Sequence, residues 1–84
     1  MYYVYLLKHT ESGEKYIGYT EDLRRRLQEH NESKNISTRR KEGLWELIYY
    51  EAFRSKEDAI LREKRLKQHG KAKQELYNRL KRSL

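Results

Sequence analysis

Two tyrosine-bearing triplets near the start of the chain hold the side chains best suited to chemistry. They are Tyr3-Val4-Tyr5 and Tyr16-Ile17-Gly18, separated by ten residues, and five of the eight tyrosines fall within the first 19 positions. A phenol needs a hydrogen-bond partner when it is buried, and neighbouring charges can shift its pKa. So many phenols in one segment indicate either an unusually polar core or a chemical site. For any single tyrosine, packing is the simpler interpretation.

A carboxylate is predicted on the apolar side of a helix in the second half of the chain. Ala59, Ile60 and Leu66 form the apolar stripe of that helix, and Glu63 lies among them at helical spacing. Burying a carboxylate costs several kcal/mol unless it is paired or bound to a metal ion. Glu63 is therefore either half of an ion pair, which is the simpler interpretation, or a metal ligand. Three cations are close enough in sequence to pair with it: Lys56, Arg62 and Lys67.

Arg26 and His30 are four residues apart on another predicted helix, so both project from one side, beside Leu23 and Leu27. In isolation, this spacing is an ordinary feature of a helix surface. The chain has no cysteine and only three histidines, which are too scattered for a zinc site of cysteine and histidine ligands. Oxygen ligands would therefore dominate at any metal site, and such ligands favour Mg²⁺ or Mn²⁺.

The elements that must position these residues follow the order ββαβαα. Alternating β-branched and aromatic residues predict strands at 2–8, 15–19 and 44–53, with a turn between the first two in which Gly13 can adopt a positive φ. Helices are predicted from an N-cap at Thr20 to about residue 31, from an N-cap at Ser55 to about Gly70, and over about 71–82. A polar loop at 32–43 is long enough to suggest a function.

This order predicts an α+β fold in which a three-stranded, mainly antiparallel sheet is flanked by three helices. Residues 1–84 are expected to form a single domain, because a chain of this length can build only one core.

Charge is divided unevenly along the chain. The formal net charge is +7; residues 1–53 hold nine Lys or Arg against nine Asp or Glu, whereas residues 54–84 hold eleven against four. A basic half of this kind indicates a polyanionic partner, most often nucleic acid, although Lys and Arg can also simply solubilise two amphipathic helices. The sequence contains neither an apolar run of about 18 residues nor an export signal, so we expect a soluble, cytoplasmic protein that binds no membrane.

Taken together, these residues resemble the pattern of the GIY-YIG nuclease family. The first triplet is similar to the GIY motif, with Tyr3 in place of glycine and Val4 in place of isoleucine, and Tyr16-Ile17-Gly18 matches the YIG motif in full. Three later positions match in order the family's arginine, the histidine or tyrosine that follows it, and the glutamate that holds the metal ion. These positions are Arg26, His30 and Glu63.

The resemblance covers nearly the whole chain and is closest to small stand-alone single-domain members found in bacteria. Besides Tyr3, two positions differ from the family's pattern. Tyr19 stands three residues after the YIG tyrosine, where some repair members carry lysine, and Asn78 is the one candidate for the family's late asparagine.

The resemblance implies a divalent-metal-dependent endonuclease that hydrolyses phosphodiester bonds of DNA, double-stranded or branched. Weak sequence preference is expected, with selection for a structure such as a flap, branch or nick. One Mg²⁺ or Mn²⁺ ion would be held by Glu63, and Arg26 would bind the scissile phosphate. Tyr5 or Tyr16 would take the proton from the attacking water, although a phenol with an ordinary pKa of about 10 is a weak base at neutral pH. His30 would relay that proton or orient a phenol.

Contacts to the DNA backbone are expected from Arg26 and from four lysines of the basic half, namely Lys64, Lys67, Lys71 and Lys73. RNA remains open as a substrate, and no small-molecule cofactor is expected. The alternative is a catalytically weak or inactive accessory module that binds nucleic acid in repair or on RNA. Glu63 separates the two hypotheses, because a pure binding module could carry an apolar residue at that position.

Overall fold

The computed structural model describes residues 1–32 and 43–84, so most of the predicted loop at 32–43 lies outside the described residues. Within those ranges the order is ββαβαα, and the predicted α+β fold is confirmed. The strands are β1 (Tyr2–His9), β2 (Lys15–Thr20) and β3 (Trp45–Phe53), and the helices are α1 (Leu23–Asn31), α2 (Lys56–Gln68) and α3 (Gly70–Arg79).

The first strand is the middle of the sheet. The strand order is β2-β1-β3, and both pairings are antiparallel. Residues on β1 alternate between two buried faces, which is why four consecutive residues from Val4 to Leu7 are all buried. Because β1 is covered on both sides, the sheet needs helices on each face, and the chain supplies them.

The helices divide between those two faces. On one face, Tyr5, Leu7 and Trp45 pack against partly buried leucines of α1. On the other face, Val4, Leu6 and Ile17 form the main core with residues of α2 and α3, including Ala59, Leu66 and Leu76. The β2 strand is at the edge of the sheet, so groups from both faces can meet beside it.

Local capping explains where α1 and α2 begin. The expected N-cap at Thr20 is wrong, because Thr20 is still paired with Tyr3 in the sheet. Asp22 caps α1 instead, and its carboxylate accepts a hydrogen bond from the Arg25 backbone N–H at 3.1 Å. Ser55 caps α2 as predicted, by accepting from the Asp58 N–H.

The junction of α2 and α3 differs from the prediction. We expected Gly70 to end one helix, but Gly70 is the first residue of α3, and His69 separates the helices with an extended backbone at φ −115° and ψ 102°. The expected burial of Ile60 is also wrong, since its side chain is 39% exposed. Ala59 and Leu66 define the buried line of α2, and Ile60 lies about 100° further round the helix than Ala59.

None of the helices in the part of the chain that the structure describes is both long and apolar enough to cross a membrane.

A bidentate ion pair ties α2 to β3. Arg62 Nε lies 2.9 Å from Glu51 Oε1 and Arg62 Nη2 lies 2.9 Å from Glu51 Oε2, while the Tyr49 hydroxyl donates to the same carboxylate at 2.7 Å. Burial by itself would raise the pKa of Glu51, but the hydrogen bonds from Arg62 and Tyr49 outweigh that effect and hold the pKa below its ordinary value. This Arg62–Glu51 pair, called the clamp below, fixes the turn of α2 that carries the adjacent Glu63.

Removing the charge of that carboxylate should loosen α2. We expect Glu51→Gln to reduce the free energy of unfolding at pH 7 by about 2 kcal/mol, because Arg62 is left without its charged partner in a partly buried position. Because the pKa of Glu51 in the folded protein lies below its ordinary value of 4.5, this carboxylate stabilises the fold at pH values above 4.5. The difference from wild type should therefore be complete at pH 7 and shrink as the pH falls below about 4.5.

Urea unfolding between pH 3 and pH 7 measures this difference, and Glu46→Gln provides the control because Glu46 is an exposed acid of the same strand. Equal stability losses in the two variants at pH 7 would mean that the clamp adds nothing to the fold.

Candidate functional site

The side chain of Tyr5 lies across the backbone of the edge strand at Gly18. The two residues are direct partners in the β1–β2 pairing. A Cβ atom at position 18 would overlap the hydroxyl and ring tip of Tyr5. The group that the missing side chain admits is the Tyr5 phenol. The second triplet therefore ends in glycine because the first triplet ends in tyrosine.

Two residues of α1 form hydrogen bonds with the Tyr5 hydroxyl. His30 Nε2 lies 2.9 Å from it, and Arg26 Nε donates to it at 3.4 Å. Burial raises the pKa of Tyr5 to about 12, although the hydrogen bond from Arg26 opposes the change. Burial also lowers the pKa of His30 to about 4, with a further contribution from the Arg26 charge. Near pH 7 a protonated phenol is therefore hydrogen-bonded to a neutral imidazole.

Arg26 is held in place from a second side. Its Nη1 lies 3.0 Å from Glu29 Oε1, one helix turn along α1, and its side chain remains 31% exposed. The guanidinium borders a cleft of about 400 Å³ whose walls also carry two cations, Arg25 and Lys56, and three acids, Glu21, Asp22 and Glu29. A planar cation that is fixed by two partners and open on one side is suited to binding a phosphate group.

Tyr16 lies beside Tyr5 on the same face of the sheet. It faces Leu7 across the β1–β2 pairing, two residues from Tyr5, and the two phenol rings are 6.3 Å apart between centroids. The His30 ring packs edge-on against Tyr16 at 5.0 Å. Tyr16 is only partly buried. The sequence could not show whether the two phenols meet, because that depends on the register of the strands.

Glu63 reaches the same region from α2 through an ion pair. Its Oε2 lies 3.2 Å from Lys67 Nζ, and Lys67 Nζ lies 5.3 Å from the centroid of the Tyr16 ring. Of the three cations considered as partners from the sequence, Lys67 is the one that pairs with Glu63 among the described residues, while Arg62 binds Glu51. The Glu63 side chain keeps 23% of its surface exposed, so solvent can reach it.

The five residues singled out from the two triplets and the later positions thus form one connected group around β2. Tyr5 contacts Arg26 and His30, and Tyr16 packs against Tyr5 and His30. Lys67 joins Tyr16 to Glu63. The group combines a fixed cation, a partly exposed phenol and a carboxylate, which are the parts needed to bind and attack a phosphate ester.

A metal ion at this site would depend on one carboxylate. In residues 1–32 and 43–84, no group of three or more His, Asp or Glu side chains is placed to hold a metal ion. Mg²⁺ usually keeps several water ligands and binds through one or two carboxylates together with substrate phosphate. Glu63 fits such a mode, in which water and a phosphate oxygen supply the other ligands.

The remaining candidates lie away from this group. Lys64 borders a second cleft, of about 410 Å³, on the outer side of α2, and none of the five residues lines it. Lys71 and Lys73 lie in the first turn of α3. Asn78, near the end of that helix, is exposed and accepts a hydrogen bond from Gln74.

Two contributors were missed or assigned a different role from the sequence. Glu29, which orients Arg26, was missed, and Lys67 was expected to contact DNA or to pair with Glu63, whereas it also covers Tyr16. Both lie three or four residues from the charge they pair with, and this spacing was the available signal.

A methyl group at position 18 should displace the Tyr5 side chain and so disturb the site. Gly18→Ala would push the Tyr5 ring away from His30, and we expect a loss of about 1–3 kcal/mol in the free energy of unfolding. The His30 ring signals in NMR spectra should shift at the same time. Gly70→Ala is the matched control, because a Cβ there meets nothing within 4 Å and Gly70 is helical; it should be neutral or slightly stabilising. A Gly18→Ala protein with wild-type stability and unchanged His30 signals would contradict this geometry.

The chain is similar to known proteins over most of its length. A sequence model of the GIY-YIG catalytic domain matches residues 1–80. A UPF0213 protein of Bacillus pumilus is 40% identical over 76 residues, which cover 90% of this chain and 76% of that protein. A UPF0213 protein of Halobacterium salinarum is 37% identical over 75 residues, which cover 89% of this chain and 96% of that protein.

A solved structure is also similar. The solution NMR structure of a UPF0213 protein from Bacillus halodurans superposes with a TM-score of 0.56 at 34% identity, covering 95% of this chain and 87% of that one. The resemblance noted from the two triplets is thereby confirmed. This chain belongs to the GIY-YIG family, whose members are generally endonucleases, and within it to the small single-domain UPF0213 proteins.

Proposed function

We propose that the protein is a divalent-metal-dependent endonuclease that hydrolyses phosphodiester bonds of DNA. The observation that carries this proposal is the fixed guanidinium of Arg26 on the Tyr5 phenol, with Tyr16 packed against Tyr5 and linked through Lys67 to the carboxylate of Glu63. A phosphodiester is protected from attack by its own negative charge. Hydrolysis therefore needs a positioned water and cations at the developing charge, and this group of residues supplies places for both.

Arg26 is proposed to bind the scissile phosphate. Its contacts with Tyr5 and Glu29 hold the guanidinium at one edge of the cleft, and a fork held in this way loses little side-chain freedom when it binds a phosphate. Glu63 would hold one Mg²⁺ or Mn²⁺ ion, which when bound would polarise a phosphoryl oxygen and stabilise the leaving oxygen.

The two tyrosines are proposed to differ in role. Tyr5 is buried, is hydrogen-bonded to His30 and has a pKa raised to about 12, so it is a poor acceptor for a proton near pH 7. Tyr16 is partly exposed and next to Lys67, where water can reach it. We therefore assign the removal of the proton from water to Tyr16, which must first release its own proton to solvent, and the orientation of Arg26 to Tyr5. His30, whose pKa of about 4 keeps it neutral, orients Tyr5.

Binding of the DNA backbone is proposed to involve the basic second half of the chain, through Lys64, Lys67, Lys71 and Lys73. Such contacts to phosphate are independent of sequence. The molecule measures only 33 × 26 × 21 Å, which leaves little surface for reading a long site. We therefore propose weak sequence preference and selection of duplex or branched DNA in the cytoplasm by shape, with residues 1–84 acting as one nuclease domain.

Replacing Glu63 should remove cleavage while leaving the fold intact. Purified protein would be incubated with supercoiled plasmid, branched DNA and RNA, each with Mg²⁺, Mn²⁺ or EDTA. We expect metal-dependent cleavage of DNA and a loss of about 100-fold or more in Glu63→Gln. Glu75→Gln, which neutralises an exposed acid of α3, should cleave normally.

Undiminished cleavage by Glu63→Gln would exclude the proposed metal role. If the wild type cuts none of these substrates but binds DNA in a salt-sensitive way, the accessory binding module is the correct interpretation.

The roles of the two phenols can be separated by their kinetics. Tyr16→Phe should lower kcat by about 100-fold with unchanged DNA affinity, because a general base acts in the chemical step. Tyr5→Phe should have a smaller effect, about 10-fold, because it loosens Arg26 without removing the proton acceptor. Single-turnover cleavage and anisotropy measurements of binding provide both quantities. A larger kcat loss in Tyr5→Phe than in Tyr16→Phe would reverse the assignment.

A further inference from the structure

The ammonium group of Lys67 contacts two residues of the proposed site at once. It lies 3.2 Å from Glu63 Oε2 and 5.3 Å from the centroid of the Tyr16 ring. The Lys67 side chain is 45% exposed and that of Glu63 is 23% exposed, so the pair lies at the boundary between protein and solvent. A lysine in this position can be exchanged for another cation without disturbing the core.

An ammonium and a divalent cation compete for the same carboxylate. Mg²⁺ binds carboxylate oxygens at about 2.1 Å, so an ion on Glu63 would lie within a few ångströms of an ammonium that is still paired with the same group. Two cations at that separation repel each other strongly beside a partly buried carboxylate. Binding of the ion to Glu63 therefore requires Lys67 to move.

The surroundings of Lys67 offer it two other partners. The Tyr16 ring already lies under the ammonium, and a cation over the face of a phenol is stabilised there. A phosphate bound near Tyr16 and Arg26 would attract the same ammonium, and the flexible four-carbon stem allows Lys67 to turn toward it. Nucleic acid would then draw Lys67 away from Glu63 and leave the carboxylate to the metal ion.

Resting on the nuclease function proposed above, we infer that Lys67 is a positioning residue that couples the binding of the divalent cation to the binding of nucleic acid. In protein alone, Lys67 neutralises Glu63 and keeps its affinity for the ion low. When a phosphate backbone binds, Lys67 moves to it, and the ion binds more tightly. Because coupling between two binding sites is reciprocal, the ion strengthens nucleic-acid binding by the same factor.

Binding measurements test this coupling without relying on turnover. All proteins would carry Tyr16→Phe, which keeps the ring beneath Lys67 and removes the proposed proton acceptor. Mn²⁺ affinity is measured by EPR on protein alone, and the affinity for a short duplex is measured by fluorescence anisotropy with and without Mn²⁺. With Lys67 present, we expect Mn²⁺ to strengthen duplex binding about 10-fold, a coupling of about 1.4 kcal/mol.

Replacing Lys67 should weaken the coupling and raise the affinity for the ion. Lys67→Met should bind Mn²⁺ about 10-fold more tightly in protein alone, and the effect of Mn²⁺ on duplex affinity should fall to the part that a phosphate ligand on the ion supplies. Lys67→Arg keeps a cation and should retain most of the coupling. Lys81→Met is the control for net charge, since Lys81 is an exposed cation after the end of α3; it should leave Mn²⁺ affinity unchanged.

The outcomes distinguish this inference from the proposed function. If Glu63→Gln eliminates Mn²⁺ binding while Lys67→Met behaves like Lys81→Met, the coupling is wrong and the metal role of Glu63 stands. If Mn²⁺ binding survives Glu63→Gln, Glu63 is not the ligand, and both the metal role and the coupling are overturned. A side-chain ¹⁵N signal of Lys67 that stays fixed when Mg²⁺ and duplex are added would also overturn the coupling.

Discussion

The contact between the Tyr5 phenol and the bare backbone at Gly18 determines where the other polar groups of the site lie. Because no Cβ stands at position 18, the Tyr5 ring can cross the edge strand and present its hydroxyl to α1. Arg26 and His30 are one helical turn apart, so one hydroxyl can meet both of them. The position of the guanidinium, and with it any phosphate that it binds, therefore follows from a single residue without a side chain.

The charges of the site are paired in advance with local partners. Arg26 is bound to Glu29 and Glu63 to Lys67, each within one turn of its own helix. Pairs between neighbours on one helix that remain partly open to solvent contribute little to stability, so a phosphate or a metal ion can compete for either member at small energetic cost. By contrast, the Arg62–Glu51 pair is bidentate, also receives the Tyr49 hydroxyl and joins two elements. The chain thus uses its stronger pair for the fold and its weaker pairs for the site.

The sequence predicted the element order well and the local details less well. Alternation of apolar residues identified the hairpin and β3, and Ser55 marked the start of α2, because both signals are local. The predicted cap at Thr20 was wrong, since its pairing with Tyr3 extends the strand by one residue. Asp22, two residues further on, caps the helix instead. The predicted burial of Ile60 was wrong, because an apolar side chain on a short amphipathic helix is buried only if the sheet lies beneath it.

The residues of the candidate site could be singled out from the sequence, but the distances between them could not. Matching five positions to a family pattern identifies residues without stating distances. The pairing of Tyr5 with Gly18 and of Leu7 with Tyr16 sets the separation of the two phenols, and a different register would have placed them apart. The different roles that we propose for the two phenols rest on their burial, which also depends on that register. Tyr5 lies under α1 and is closed to water, whereas Tyr16, two residues along the same face, extends to the edge where α2 supplies Lys67. Two similar motifs in the sequence therefore produce one phenol that is buried against α1 and one that can meet water.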